Sequence, residues 1–176
     1  TLDALDRKIK EGSLGYSSAV LASSQNGECV VGASLDVYCL DFKTDRYVKK
    51  TQWNGLSGSA TLLSWSKDGR WVFGADAKGG AVVWGVFTKE AIQWKLPENS
   101  SPVVGGVWVN DQVLATLQQD GTLTLWSIPD GAVLSSQVLG NQYEKATFVD
   151  TNEGTVGILM LKDRSSVQRV LIHQTE

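Results

Sequence analysis

Few residues in this chain have types and spacings that could do chemistry. There is one histidine, His173, close to the end of the sequence, and two cysteines, Cys29 and Cys39. A Ser-His-Asp or Cys-His arrangement needs a histidine oriented by other groups, and a lone terminal one does not supply it. No cysteine–histidine grouping has metal-ligand spacing. The carboxylates Asp68, Asp120 and Asp130 each precede a glycine, which turn chemistry accounts for. Gly79-Gly80 and Gly105-Gly106 belong to turns and strands rather than to a strand-to-helix phosphate loop. Arg70, Arg164 and Arg169 are scattered. The expectation is therefore a protein with no catalytic residues, no metal and no cofactor. Cys29 and Cys39 lie symmetrically about Ser34 and could face each other across a hairpin. They are expected to be reduced, buried small residues.

Composition narrows the partner classes. Apolar residues make up 42% and charged residues 20% of the chain, a globular balance. Net charge is −3, from 16 basic and 19 acidic residues that are interspersed. The densest basic groups, Arg7-Lys8 with Lys10 and Lys49-Lys50, are too small for a phosphate-tracking stripe, which argues against nucleic acid. Apolar runs are short, which argues against a membrane span, and no signal-peptide pattern is present. Asn99-Ser100-Ser101 is a glycosylation sequon, a triplet too common to imply secretion.

The elements that would position these residues announce themselves as a repeat. Gln25-Asn26-Gly27-Glu28-Cys29-Val30-Val31-Gly32-Ala33 aligns with Lys67-Asp68-Gly69-Arg70-Trp71-Val72-Phe73-Gly74-Ala75, at a spacing of 42 residues. Asn110-Asp111-Gln112-Val113-Leu114-Ala115 has the same shape, and Asn152 to Ile158 is a fainter copy. Ala81-Val82-Val83-Trp84 matches Leu123-Thr124-Leu125-Trp126, again 42 residues on, with Val37 to Leu40 before it. Trp65, Trp108 and Phe148 each precede the turn positions by four residues.

Each unit parses into four short strands; in the clearest they are roughly 60–65, 70–75, 80–85 and 90–95. Glycine permits the positive φ of tight hairpins, and Val, Trp, Phe and Leu fill the strands without helical period. The expected units are about 16–55, 56–98, 99–140 and a partial 141–176. Residues 1–15 read as a linker or a short helix over 2–11.

A unit of this length, with a polar-Asp-Gly turn after the first strand and a Trp ending the third, resembles the WD40 repeat. Trp65-Ser66-Lys67-Asp68-Gly69-Arg70 with Ala81 to Trp84, and Asp120-Gly121-Thr122-Leu123-Thr124-Leu125-Trp126, carry the likeness, which covers roughly 16–172. The family's Trp-Asp pair is replaced by Trp84-Gly85 and Trp126-Ser127. Its Gly-His pair is absent, so a His–Asp network is not expected. Val37 to Asp45 followed by Trp53 also resembles the quinoprotein-type propeller. Either likeness implies an all-β fold of β-propeller blades, about 3.5–4 in this chain. Closed rings need at least four, so a larger or shared propeller is expected.

The resemblance implies a non-catalytic scaffold in a multi-subunit assembly, cytoplasmic or nuclear, whose partners are other proteins, including a chain or domain that completes the ring. The alternative is a quinoprotein-like propeller that binds a small ligand or acts as an enzyme. A third is a nucleic-acid-binding propeller, for which the charge distribution offers no support. Carried over by position, the partner-binding loops hold Ser34, Asp36, Trp53, Asn54, Lys78, Glu98, Asn99, Gln118, Gln119 and Asn141. Trp53, before Asn54-Gly55, is expected to be an exposed anchor. Trp65, Trp84, Trp108 and Trp126 are expected in the core, with Trp53 and Trp94 outside the repeat register.

Overall fold

A computed structural model describes residues 20–87, 92–97, 100–152, 154–163 and 166–172. The helix or linker expected over 1–15 and His173 lie outside these, as do Glu98, Asn99 and Arg164. The described residues form fifteen strands and no helix. The first sheet contains β1 (Leu21–Ser23), β2 (Cys29–Gly32), β3 (Asp36–Asp41) and β4 (Arg46–Gln52). The second contains β5 (Ala60–Trp65), β6 (Trp71–Asp76), β7 (Ala81–Gly85) and β8 (Ile92–Lys95). The third contains β9 (Val103–Asn110), β10 (Val113–Gln118), β11 (Thr122–Ser127) and β12 (Val133–Val138). The fourth has three strands, β13 (Tyr143–Thr151), β14 (Gly154–Leu161) and β15 (Val167–Ile172).

All pairings are antiparallel between sequence neighbours, so each sheet is a meander of hairpins. The sheets stack like propeller blades through their first strands: β1 lies against β5, β5 against β9, and β9 against β13. The fold is thus all-β and blade-like, as expected.

The hairpin turns explain why the repeat is visible. Ser24 Oγ donates to Asn26 Oδ1 and accepts from the Cys29 N–H; Ser66 Oγ donates to Asp68 Oδ1 and accepts from the Trp71 N–H. The same side-chain clamp therefore recurs 42 residues apart. Gly27 and Gly69 follow it with φ of 70° and 72°, a region closed to most side chains.

Between sheets the core is apolar. Val31, Val37, Val72, Val82 and Trp84 fill the first junction, and Phe73, Val83, Trp94, Leu114 and Trp126 the second. Gly105-Gly106, read from sequence as turn or strand, lies within β9 and clears space on both of its sides. A Cβ on Gly106 would come 2.3 Å from the Phe73 ring, and one on Gly105 would come 2.6 Å from Ala146 and 2.9 Å from Phe148. Close approach of first strands is what these glycines permit.

One expectation is overturned. Cys29 and Cys39 form a disulfide rather than two thiols. They are direct cross-strand partners on β2 and β3, with Cα atoms 4.1 Å apart, so their side chains emerge together on one face.

Candidate functional site

Two sets of connections sit at the same end of every sheet. One joins the second strand to the third; the other joins the last strand to the next sheet. Backbone hydrogen bonds tie the sets together. Trp53 N–H donates to Leu35 O, Ala60 N–H to Ala33 O, Gln119 N–H to Pro102 O, and Tyr143 N–H to Gln119 O. The result is a loop face whose neighbouring connections are joined by backbone hydrogen bonds.

The firmest part is built on Asp76, at the end of β6 and 1% exposed. Its Oδ2 accepts the N–H groups of Ser57 at 2.7 Å and Gly58 at 3.1 Å, from the loop entering the second sheet. Its Oδ1 accepts those of Lys78 at 2.8 Å and Gly80 at 2.9 Å. One buried carboxylate thus locks both loop sets, using four backbone donors. Gly80 is required for this approach, because a Cβ there would lie 2.8 Å from Asp76 Oδ2. Nothing in the sequence flagged Asp76; the only cue was an Asp at the entry of the Ala77-Lys78-Gly79-Gly80 turn. In the third sheet Gln118 Nε2 donates to Ser101 O at 3.1 Å, a weaker version of the same tie. In the first, buried Asp36 accepts from Ser34 Oγ and pairs with Lys49 at 2.5 Å. That carboxylate holds the Lys49 ammonium above the usual lysine range.

The residues expected at a partner surface divide on inspection. Asn54, Lys78 and Asn141 are exposed, and Ser34 and Gln119 are half-buried on the loop face. Asp36 and Gln118 are buried and hold loops. Trp53 is not an exposed anchor: it is 6% exposed and stacks on Trp84, with centroids 5.4 Å apart and planes at 5°. Trp94 stands in the same relation to Trp126, at 4.9 Å and 56°. So Trp53 and Trp94 belong to the repeat after all, each meeting the third-strand Trp of the next sheet. Their spacing of 41 residues was the missed signal. The first-strand tryptophans form a further series. Trp65 Nε1 donates to Ala22 O at 3.2 Å and Trp108 Nε1 to Ser64 O at 3.1 Å, each reaching the preceding sheet.

Beneath the loops, β5, β9 and β13 border an open cleft of about 420 Å³, lined among others by Thr61, Asp76, Gln119 and Glu144. Asp76 spends its oxygens on backbone N–H groups. Asp68, Asp120 and Asp130 accept bonds within their own turns and do not converge. Among the described residues, no group of three or more His, Cys, Asp or Glu is placed to hold a metal ion. No helix of the described residues is long and apolar enough to cross a membrane.

At the opposite end of the sheets, Lys67 Nζ lies 2.7 Å from Asp150 Oδ2, joining the second sheet to the fourth. That contact, with a bond from Thr155 Oγ1, holds the Asp150 carboxyl below the usual range. In comparison with known proteins, no family model and no curated protein matches this chain.

Proposed function

We propose that this chain is a non-catalytic protein-interaction module of the WD40-like kind, presenting its loop face to a protein partner within a larger assembly. The observation that carries the reading is the construction of that face. Buried Asp76 fixes the backbone of the loops that carry exposed Asn54 and Lys78, and backbone bonds from Leu139 to Gly121 and from Tyr143 to Gln119 hold the loop that carries exposed Asn141. Loops whose backbone is already fixed lose little backbone entropy on binding, and their exposed polar side chains suit a modest protein interface. The order of strands, the Asp68-Gly69 and Asp120-Gly121 turns, and third-strand Trp84 and Trp126 support the family likeness. A cytoplasmic or nuclear location follows from the same likeness. The Cys29–Cys39 bond weighs the other way, because disulfides persist in oxidising surroundings.

The test is quantitative affinity purification of the chain in three forms. The loop-face variant combines Asn54→Arg, Lys78→Glu and Asn141→Arg; the control carries Phe42→Arg, on the β3–β4 turn at the other end, where Phe42 is 72% exposed. Proteins recovered with the wild type and the control but lost from the loop-face variant support the reading. Equal recovery by all three forms contradicts it.

A further inference from the structure

The last strand of each sheet lies furthest from the first strands through which the sheets stack. Such a strand pairs along one edge, and the N–H and C=O groups of its other edge are a template for a further strand. Among the described strands these are β4, β8, β12 and β15. Three of them carry charge: Arg46, Lys49 and Lys50 on β4, Lys95 on β8 and Arg169 on β15. Charge on an edge opposes pairing, above all with a copy of itself. β12 is the exception. It has no charged residue, and the charge-free run extends from Gly131 to Tyr143. All six residues of β12 are exposed, Val133 and Leu134 at 55% and Val138 at 68%.

The register with β11 fixes which backbone groups of β12 point outward. Leu123 pairs with Gln137 and Leu125 with Ser135, and Leu139 N–H donates to Gly121 O. The odd-numbered residues therefore turn their backbone groups to β11, and Ser136 and Val138 turn theirs to the outer edge. The ladder is regular over this stretch; its irregularity lies opposite Trp126, at the start of the strand. The side chains add a pattern of their own. Around Ser136 the sequence has the same character read in either direction: polar Ser135 and Gln137, then apolar Leu134 and Val138, then apolar Val133 and Leu139.

We infer that β12 pairs antiparallel with β12 of a second copy, across a two-fold axis at Ser136. In that register Leu134 lies opposite Val138, Val133 opposite Leu139, Ser135 opposite Gln137, and Ser136 opposite its counterpart. Every apolar residue meets an apolar one on the same side of the sheet, and every polar residue a polar one. Sliding the register by one step either way sets Leu134 or Val138 against Ser136, so one register is singled out. A two-fold antiparallel pair needs a strand that matches its own reverse. β12 does so, and no charge on it meets its own image, which makes a second copy the occupant. The pairing joins the four-stranded third sheets of both copies into one continuous sheet. One strand edge is a small interface, so a dimer that dissociates on dilution is expected. The contact uses neither the first and fourth sheets nor the loop face, so it and the proposed function can fail separately.

The experiment is sedimentation velocity on the full chain over a concentration series. Leu134→Lys and Val138→Glu are run beside it; both alter exposed residues, and unchanged circular dichroism verifies their fold. Ser136→Lys, which sets two ammonium groups together on the axis, is a further variant. The wild type is expected to pass from monomer to dimer as concentration rises and to stop there. Leu134→Lys and Val138→Glu each set a charge against an apolar residue at both symmetric positions, and each alone is expected to weaken dimerisation at least about tenfold. In an equimolar mixture of the two, the introduced ammonium meets the introduced carboxylate at one position and Val138 meets Leu134 at the other. The mixture is expected to recover the dimer. A wild type that is monomeric at every concentration overturns the proposal, as does assembly beyond the dimer. A dimer that all three variants retain places the contact on another surface. A mixture no better than its components rules out the pairing of Leu134 with Val138.

Discussion

At the residue scale, buried Asp76 carries more structure than any other polar side chain of the loop face. Four N–H groups depend on it, and removing one partner of a buried hydrogen bond costs about 1–3 kcal/mol, more for charged groups. Asp76→Ala is expected to lower stability by roughly 3 kcal/mol or more, read as a drop in the urea midpoint. A change of a few tenths would mean that the loops hold without it. Asp150 gives a pH-dependent counterpart. Its carboxyl is held below the ordinary 3.8 by Lys67 first and by Thr155 as well. A lowered folded value means that its contribution is complete above the unfolded pKa and is lost as pH falls through the folded one. The side chain is 49% exposed, so the contribution is a few tenths of a kcal/mol after solvent screening. Asp150→Asn should lower the melting temperature slightly at pH 7 and by less at pH 2, on the acid side of the ordinary carboxyl value. An equal loss at both values would assign the effect to packing.

At the scale of the element, the first sheet carries a cross-link that the other described sheets lack. Its disulfide closes the β2–β3 hairpin, and short-loop disulfides stabilise by roughly 2–3 kcal/mol. Reduction is expected to lower the melting temperature, with the amides of β2 and β3 exchanging faster than those of β6 and β7. Thiol titration that finds two free cysteines in the untreated, unfolded protein would rule the bond out. Trp53, at the exit of the same sheet, is expected to act in the core. Trp53→Ala should cost about 3–5 kcal/mol, seen as a lower melting temperature; a stable variant that had lost only a binding partner would restore the exposed-anchor reading. The strands themselves were legible in the sequence, because the Ser–Asp and Ser–Asn clamps and the positive-φ glycines recur with the turn they make. The pairing Cys29↔Cys39 was legible from their symmetry about Ser34, but not whether the bond had formed, since redox state is not a local pattern. The roles of Trp53 and Trp94 were hidden because each acts on the next sheet, and a repeat read strand by strand does not show what crosses a junction.

At the scale of the whole molecule, Gly105-Gly106 shows how the stack is made. Both residues lie on one first strand, and each admits a side chain from a different neighbour, Phe73 on one side and Ala146 with Phe148 on the other. The stack in turn brings loops from four sheets to one end. There Asn54, Lys78, Gln119 and Asn141 are accessible, while Asp36, Trp53 and Gln118, chosen with them by loop position, are spent on holding the loops. Loop position was readable from strand order; exposure was not, because burial on this face depends on what each loop packs against. The most direct measurement is site-specific photo-cross-linking in the native cellular setting, with a benzophenone side chain at Lys78 or Asn54 on the loop face, or at Phe42 or Phe87 on the opposite end. Discrete protein adducts at Lys78 and Asn54, with none at Phe42 and Phe87, are the expected result. Adducts confined to Phe42 and Phe87 would contradict a loop-face interface.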